Sequence, residues 1–177
     1  MPDPTAALNG WRSLHFFGCQ LTYRTATECF RILKPGGVCG ISTWDTLGWT
    51  PHVRGAIATI TGAPPFPDDE TFLRSMSDGK PWHRAEYVEQ KLGDHGFQGI
   101  KVEIMVNSYT MDSATYFVEL FSGMSAQFTA KFWSEDDHAR YGREVKPALM
   151  KYMTEKYPDD QAFELTMVAI IASARKP

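Results

Sequence analysis

The run Lys34-Pro35-Gly36-Gly37 constrains the fold of this chain more than any other feature. Before it, Ala26, Cys29, Phe30 and Leu33 fall at i, i+3, i+4 and i+7. That spacing puts their side chains on one face of a helix over residues 25–33. A proline followed by paired glycines stops such a helix. After it, residues 38–44 (VCGISTW) are mostly apolar without clean alternation, as in a strand covered on both faces. Helix, stop and buried strand in succession are the elements of an α/β fold, with the helix laid against a sheet.

The rest of the chain extends that reading. Residues 1–12 carry two prolines, a glycine and little apolar order, and read as a mobile lead-in. Residues 14–21 (LHFFGCQL) are a short apolar run broken by Gly18, expected to form a buried strand ending in a turn. A helix is predicted over 50–61, with Pro51 in its first turn. Residues 62–70 (GAPPFPDDE) read as a loop, followed by a short helix around 69–76. Further helices are predicted over 84–92 and 113–121, and an alternating strand over 100–109. Residues 135–157 read as one long helix with a break or kink at Pro147, and 163–174 (FELTMVAIIASA) as the strongest strand. Strands alternating with helices predict a single α/β domain over 1–177, with an antiparallel element near its end.

Charge and cysteine content exclude several classes. Net charge is −3 and no long basic run exists, which argues against a nucleic-acid partner. Cys19, Cys29 and Cys39 fit neither a disulfide framework nor a zinc pattern, and read as buried thiols in a reducing, cytoplasmic setting. The first residues show no basic segment leading into an apolar one, so no secretory signal is expected. The apolar run 168–172 is too short to cross a bilayer, so no membrane partner is expected. Five Trp and eight Met suit either a packed core or a pocket for an apolar small molecule.

Glu28, Arg31, Leu33, Lys34, Pro35, Gly36 and Gly37 spell E-x-x-R-x-L-K-P-G-G, followed by the strand 38–44. This resembles the helix, turn and strand five of class I S-adenosylmethionine-dependent methyltransferases, most of all small-molecule enzymes of fungal secondary metabolism. The resemblance implies a sheet ordered 3-2-1-4-5-7-6 with strand seven antiparallel. Residues 14–21, 38–44, 100–109 and 163–174 then correspond to strands four, five, six and seven. The implied architecture is a partial Rossmann-like sheet ordered 4-5-7-6, with flanking helices and a helical lid insert over 45–97. The family holds its cofactor with a glycine-rich loop after strand one and an acid ending strand two. No G-x-G-x-x-G occurs in these 177 residues. No cofactor is therefore expected, except S-adenosylmethionine if a partner supplies the missing half.

The resemblance places substrate above the C-terminal strand ends, where open α/β sheets generally bind ligands. It brings forward His15, Phe16 and Gln20 near strand four, and Trp44, Asp45, Trp49 and His52 after strand five. Trp82, His83 and Met124 come from the lid segments. His52 and Asp45 suit a base with an orienting acid, or polar residues of a surface loop. His15 suits a catalyst or a satisfied core histidine. Trp82-His83-Arg84 suits a binding site for an anionic or aromatic group, or a helix entry. A cysteine nucleophile lacks a suitably spaced His, and a metal site lacks H-x-x-x-H.

The apolar edge from Leu14 to Leu21 invites pairing, either in a homodimer or with a heteromeric methyltransferase partner; a truncated sequence would show the same edge. Three functions follow as expectations. One is a natural-product tailoring enzyme that has lost methyl transfer and performs cyclisation, isomerisation or dehydration. The second is part of a split or truncated methyltransferase. The third is a non-catalytic partner of an intact methyltransferase.

Overall fold

A computed structural model describes the backbone of residues 11–13 and 23–177, and side chains from Ala26 onward. The chain divides into two compact units. The first holds the described residues up to Thr46 together with Glu70–Val106 and Val168–Pro177; the second holds Leu47–Asp69 and Asn107–Met167. Residues 45–97, expected as one lid insert, are shared between the two.

The first unit is built on a sheet. Its strands are β1 (Trp11–Ser13), β2 (Val38–Leu47), β3 (Gln98–Met111) and β4 (Phe163–Arg175), in the order β1-β2-β4-β3. β1 runs parallel to β2, with Trp11 opposite Val38, Arg12 opposite Cys39 and Ser13 opposite Gly40. The start of β2 meets the end of β4: Gly36 N–H donates to Lys176 O at 2.8 Å and Lys176 N–H to Gly37 O at 2.9 Å. β4 is therefore antiparallel to β2. This is the 4-5-7-6 order expected from the resemblance, with the last strand reversed. The first strand begins earlier than expected. Residues 11 and 12 belong to β1 and not to a lead-in, because three residues of backbone pairing leave too short an apolar pattern to read. The rest of the lead-in and the expected strand 14–21 lie outside the described residues, apart from the parts just named.

Helix α1 (Tyr23–Ile32) and helix α4 (Ala85–Asp94) supply Ala26, Cys29, Val88 and Leu92 to the core of this unit. Cys39 and Ile41 of β2, alternate residues Ile170, Ala172 and Ala174 of β4, Trp82 and Phe97 complete it. Fully burying a side chain such as Leu92 or Val88 stabilises by about 1.5–3 kcal/mol. Cys29 and Cys39 are buried free thiols. A hydrogen bond between them brings Cys29 down to about 7 and pushes Cys39 up. The α1 stop forms as the Pro-Gly-Gly run predicts. Gly36 has φ +80°, which favours glycine, and Gly37 N–H donates to Lys34 O at 2.9 Å. Lys176 then caps the helix end, its Nζ donating to Phe30 O and Leu33 O at 2.8 Å each. A cation there meets the negative end of the helix dipole.

The second unit is mainly helical. Helix α7 (Val145–Lys156) packs on α2 (Thr50–Ile57) and α5 (Ala114–Phe132). Gly55 of α2 is pressed against the Tyr152 ring of α7, where a β-carbon would come within 2.6 Å. α5 runs on past the expected end at residue 121. Trp49 stacks on Phe121 at 5.5 Å and on Phe128 at 6.2 Å, anchoring both halves of that helix. The expected helix over 135–157 is broken into α6 (Glu135–Tyr141), a 3₁₀ turn at Gly142–Glu144 and α7. Pro147 lies in the first turn of α7. In a continuous helix its ring would strike the carbonyl of Arg143, so of the expected break or kink it is the break that forms, one turn before the proline. The remaining helix, α3 (Asp69–Ser75), opens the segment that returns the chain to the first unit.

Candidate functional site

In the first unit, α3 presents Glu70 and Arg74 one turn apart, and a short turn through Pro81 brings the chain back to the start of α4. That turn is held by Lys80 N–H to Ser77 O at 2.8 Å and Arg84 N–H to Pro81 O at 3.0 Å. It buries Trp82 and His83 and leaves Arg84 exposed. Three side chains converge on the Glu70 carboxylate. Arg74 Nε donates to Oε1 at 2.5 Å, Arg84 Nη2 to Oε2 at 2.9 Å, and His83 Nε2 lies 2.7 Å from Oε2. Hydrogen bonds from Arg74, then Arg84, then His83 bring the Glu70 carboxyl down to about 2.

An ionised carboxylate has no proton to give, so the hydrogen bond assigns the His83 proton to Nε2. In the neutral ring Nδ1 then carries the free lone pair. That atom is buried and has no hydrogen-bond partner among the described residues. The same holds for Nε1–H of Trp82 next to it in sequence. A buried polar atom without a partner costs about 1–3 kcal/mol. Two fall on consecutive residues, a donor on Trp82 and an acceptor on His83, and a third is Nε1–H of Trp133 in the second unit. Chemically, an imidazole held through one nitrogen by a carboxylate, with the other nitrogen unpaired, has the hydrogen-bond arrangement of a general base.

The other expected residues take different places. Asp45 is half-buried after β2 begins to leave the core, and its carboxylate accepts from Thr46 Oγ1 at 2.7 Å. Glu70 first, then Asp45 and Glu86, raise the pKa of Arg84. Trp44 is half-buried on β2. His52 lies in the second unit, edge-on to Phe117 at 5.3 Å, Phe163 at 5.9 Å and Tyr157 at 6.0 Å. Lys156 Nζ is 3.4 Å from its Nδ1. Burial, and then the Lys156 charge, bring its pKa down to about 4, so it stays neutral. Its ring neighbours are aromatic and its near charge is a cation; Asp45, the acid expected to orient it, belongs to the first unit. Trp49 is a buried core residue of the second unit. Met124 is exposed on α5, one turn on from Leu120. His15, Phe16 and Gln20 lie outside the described residues.

Glu70 and Arg74 were missed in the sequence, where Glu70 closes an acidic loop. The signal available was their i, i+4 spacing at a helix start. Among the described residues no group of three or more His, Cys, Asp or Glu could hold a metal, and no helix is long and apolar enough to cross a membrane. S-adenosylmethionine needs glycines that leave room beside a strand-to-helix turn. Gly37, Gly48 and Gly55 are instead crowded by the chain's own atoms; the open Gly36 lies in a helix-to-strand turn, and the open Gly40, Gly79, Gly99 and Gly123 are scattered along the chain.

No protein-family model matches the chain. It is 32% identical over 152 residues to acetylaranotin bis-thiomethyltransferase of Aspergillus terreus, covering 86% of this chain and 54% of that protein. It is 31% identical over 150 residues to methyltransferase tpcH of Aspergillus fumigatus, covering 85% of this chain and 52% of that protein. The chain thus spans about half the length of the curated relatives it matches. Among solved structures it is similar to phosphoethanolamine N-methyltransferase 2 of Haemonchus contortus, with 19% identity, 89% of this chain and 30% of that chain covered, and a TM-score of 0.35. Sequence kinship and strand order together make this chain part of a class I methyltransferase fold, the part that carries strands four to seven.

Proposed function

We propose that this chain supplies the substrate side of a methyltransferase-fold enzyme of natural-product metabolism, in which His83 takes a proton from the substrate. One observation carries the reading: His83 Nε2 is held 2.7 Å from the ionised Glu70 carboxylate while Nδ1 is buried and has no hydrogen-bond partner among the described residues. The proton leaves a substrate O–H or S–H for Nδ1. Glu70 stabilises the resulting imidazolium and fixes the ring, and Arg74 and Arg84 keep Glu70 charged. The related bis-thiomethyltransferase makes a thiol on an apolar small molecule the first substrate class to try. For methyl transfer, the donor is held by a cofactor-binding half beyond the described residues, in this protein or in a partner. A reaction without methyl transfer is a second reading. Cyclisation, isomerisation or dehydration can begin with the same proton removal, and the base and its orienting acid lie wholly within this chain.

The test compares wild type, His83→Gln and Glu70→Gln against a panel of apolar thiols and phenols, with and without S-adenosylmethionine, products being read by mass spectrometry. His83→Gln should lose about 100-fold or more in rate, and Glu70→Gln about tenfold, in line with general-base catalysis. A gain of one CH2 that needs the cofactor selects methyl transfer; an isomeric or dehydrated product without it selects the second reading. Independently of any substrate, a long-range proton–nitrogen NMR spectrum should show His83 protonated at Nε2. Protonation at Nδ1, or full activity in a folded His83→Gln protein, would overturn the role given to His83.

A further inference from the structure

We propose that two copies of this chain join edge to edge along β3, antiparallel and in a register centred on Val102. The inference is independent of the chemistry above. β3 is the last strand in the sheet order, with β4 its neighbour on one side. Edge strands are normally protected by charge, proline or brevity. β3 runs for 14 residues, and from Ile104 to Met111 it holds no charged residue and no proline. Ile104 is 61% exposed, Met105 43% and Val106 65%, so apolar side chains stand open on both of its faces.

The sequence of the edge complements itself. In an antiparallel pair about Val102, Lys101 of each copy faces Glu103 of the other, and Val102 faces Val102. Lys101 and Glu103 are both exposed, and neither makes an ion pair among the described residues. Ile104 falls opposite Ile100, which with Val102 already packs against the core of the first unit, so the apolar row continues from one copy into the next. Met105 falls opposite Gly99, where nothing lies within 4 Å of the β-carbon position. Gly99 has φ +58° and ends the regular ladder there. Among symmetric registers only the one centred on Val102 sets Lys101 opposite Glu103; centring on Lys101 or Glu103 sets that charge against itself, and centring between residues sets the row Ile100, Val102, Ile104 of one copy against the row Lys101, Glu103 of the other.

Sedimentation equilibrium on the whole chain tests this. The wild type should form a dimer, and Lys101→Glu or Glu103→Lys should each weaken it about tenfold by setting like charges opposite one another twice. The double variant K101E/E103K should restore the wild-type constant, since the pairs are exchanged and not lost. Circular dichroism confirms that each variant is folded. A monomer across the whole concentration range overturns the proposal. So does a dimer indifferent to the single changes, which would use another surface such as the edge from Leu14 to Leu21, and so does a double variant as weak as the singles.

Discussion

Two histidines in this chain have opposite surroundings, and their residue types alone do not tell them apart. His52 sits among Phe117, Tyr157 and Phe163 with Lys156 beside it, and its pKa falls from 6.5 to about 4. Between those two values the unfolded chain binds a proton that the folded chain refuses. Stability linked to His52 is therefore complete above pH 6.5 and is lost as pH falls toward 4, by on the order of 2–3 kcal/mol. Urea unfolding at pH 7 and pH 4.5 should show this loss in wild type and a smaller one in His52→Phe; equal losses would assign the acid sensitivity elsewhere. Gly48 gives a steric prediction. A β-carbon there would run into the backbone oxygen of Thr166, whereas at Gly40 it would meet nothing within 4 Å. Gly48→Ala should cost about 3 kcal/mol or prevent folding, and Gly40→Ala should fold normally, as thermal melts would show. The sequence pointed to His83 but not to its acid. Glu70 lies 13 residues away across a turn, and contacts of that kind leave no mark in local spacing.

At the scale of elements, α1 depends on a residue from the far end of the chain. Lys176 donates to two carbonyls at the C-terminus of α1 and lies over the Phe30 ring at 4.7 Å. Lys176→Met removes both hydrogen bonds and should cost about 1–3 kcal/mol. Hydrogen exchange should quicken first in α1; uniform quickening across the sheet would deny the cap its local role. Helix existence was legible wherever an apolar stripe recurred at helical spacing, as in α1 and α4. Extents were less legible. Ser122-Gly123 did not end α5, because Trp49 packs on both sides of that point. Pro147 was visible, but its effect falls one turn earlier, at the carbonyl it would strike. β1 was missed at its true position because its identity comes from pairing with β2, and only three residues take part.

For the whole molecule, the sheet order was legible because the Lys-Pro-Gly-Gly stop and the strands and helices after it together carry a resemblance to a family whose sheet order is known. The candidate site was legible only in part, since Glu70 and His83 come from different segments and the expected residues divide between two units. The missing glycine loop yields a further prediction. Titrating S-adenosylmethionine into the chain alone should give no binding heat, and binding should appear when a cofactor half is supplied. Micromolar binding to the chain alone would mean that its own residues hold the cofactor.

The path of the chain has a consequence for its history and its synthesis. It leaves the first unit after Thr46, returns at Glu70, leaves again after Val106 and returns at Val168. A single genetic crossover therefore cannot exchange one unit and leave the other intact, so the pair is inherited as a block. On the ribosome, β4 emerges last among the strands and serves both units, so neither can close until Phe163–Arg175 has cleared the exit tunnel. Until then the nascent chain carries two unfinished cores at once, a period in which a chaperone or a second nascent copy could bind the apolar residues of β3.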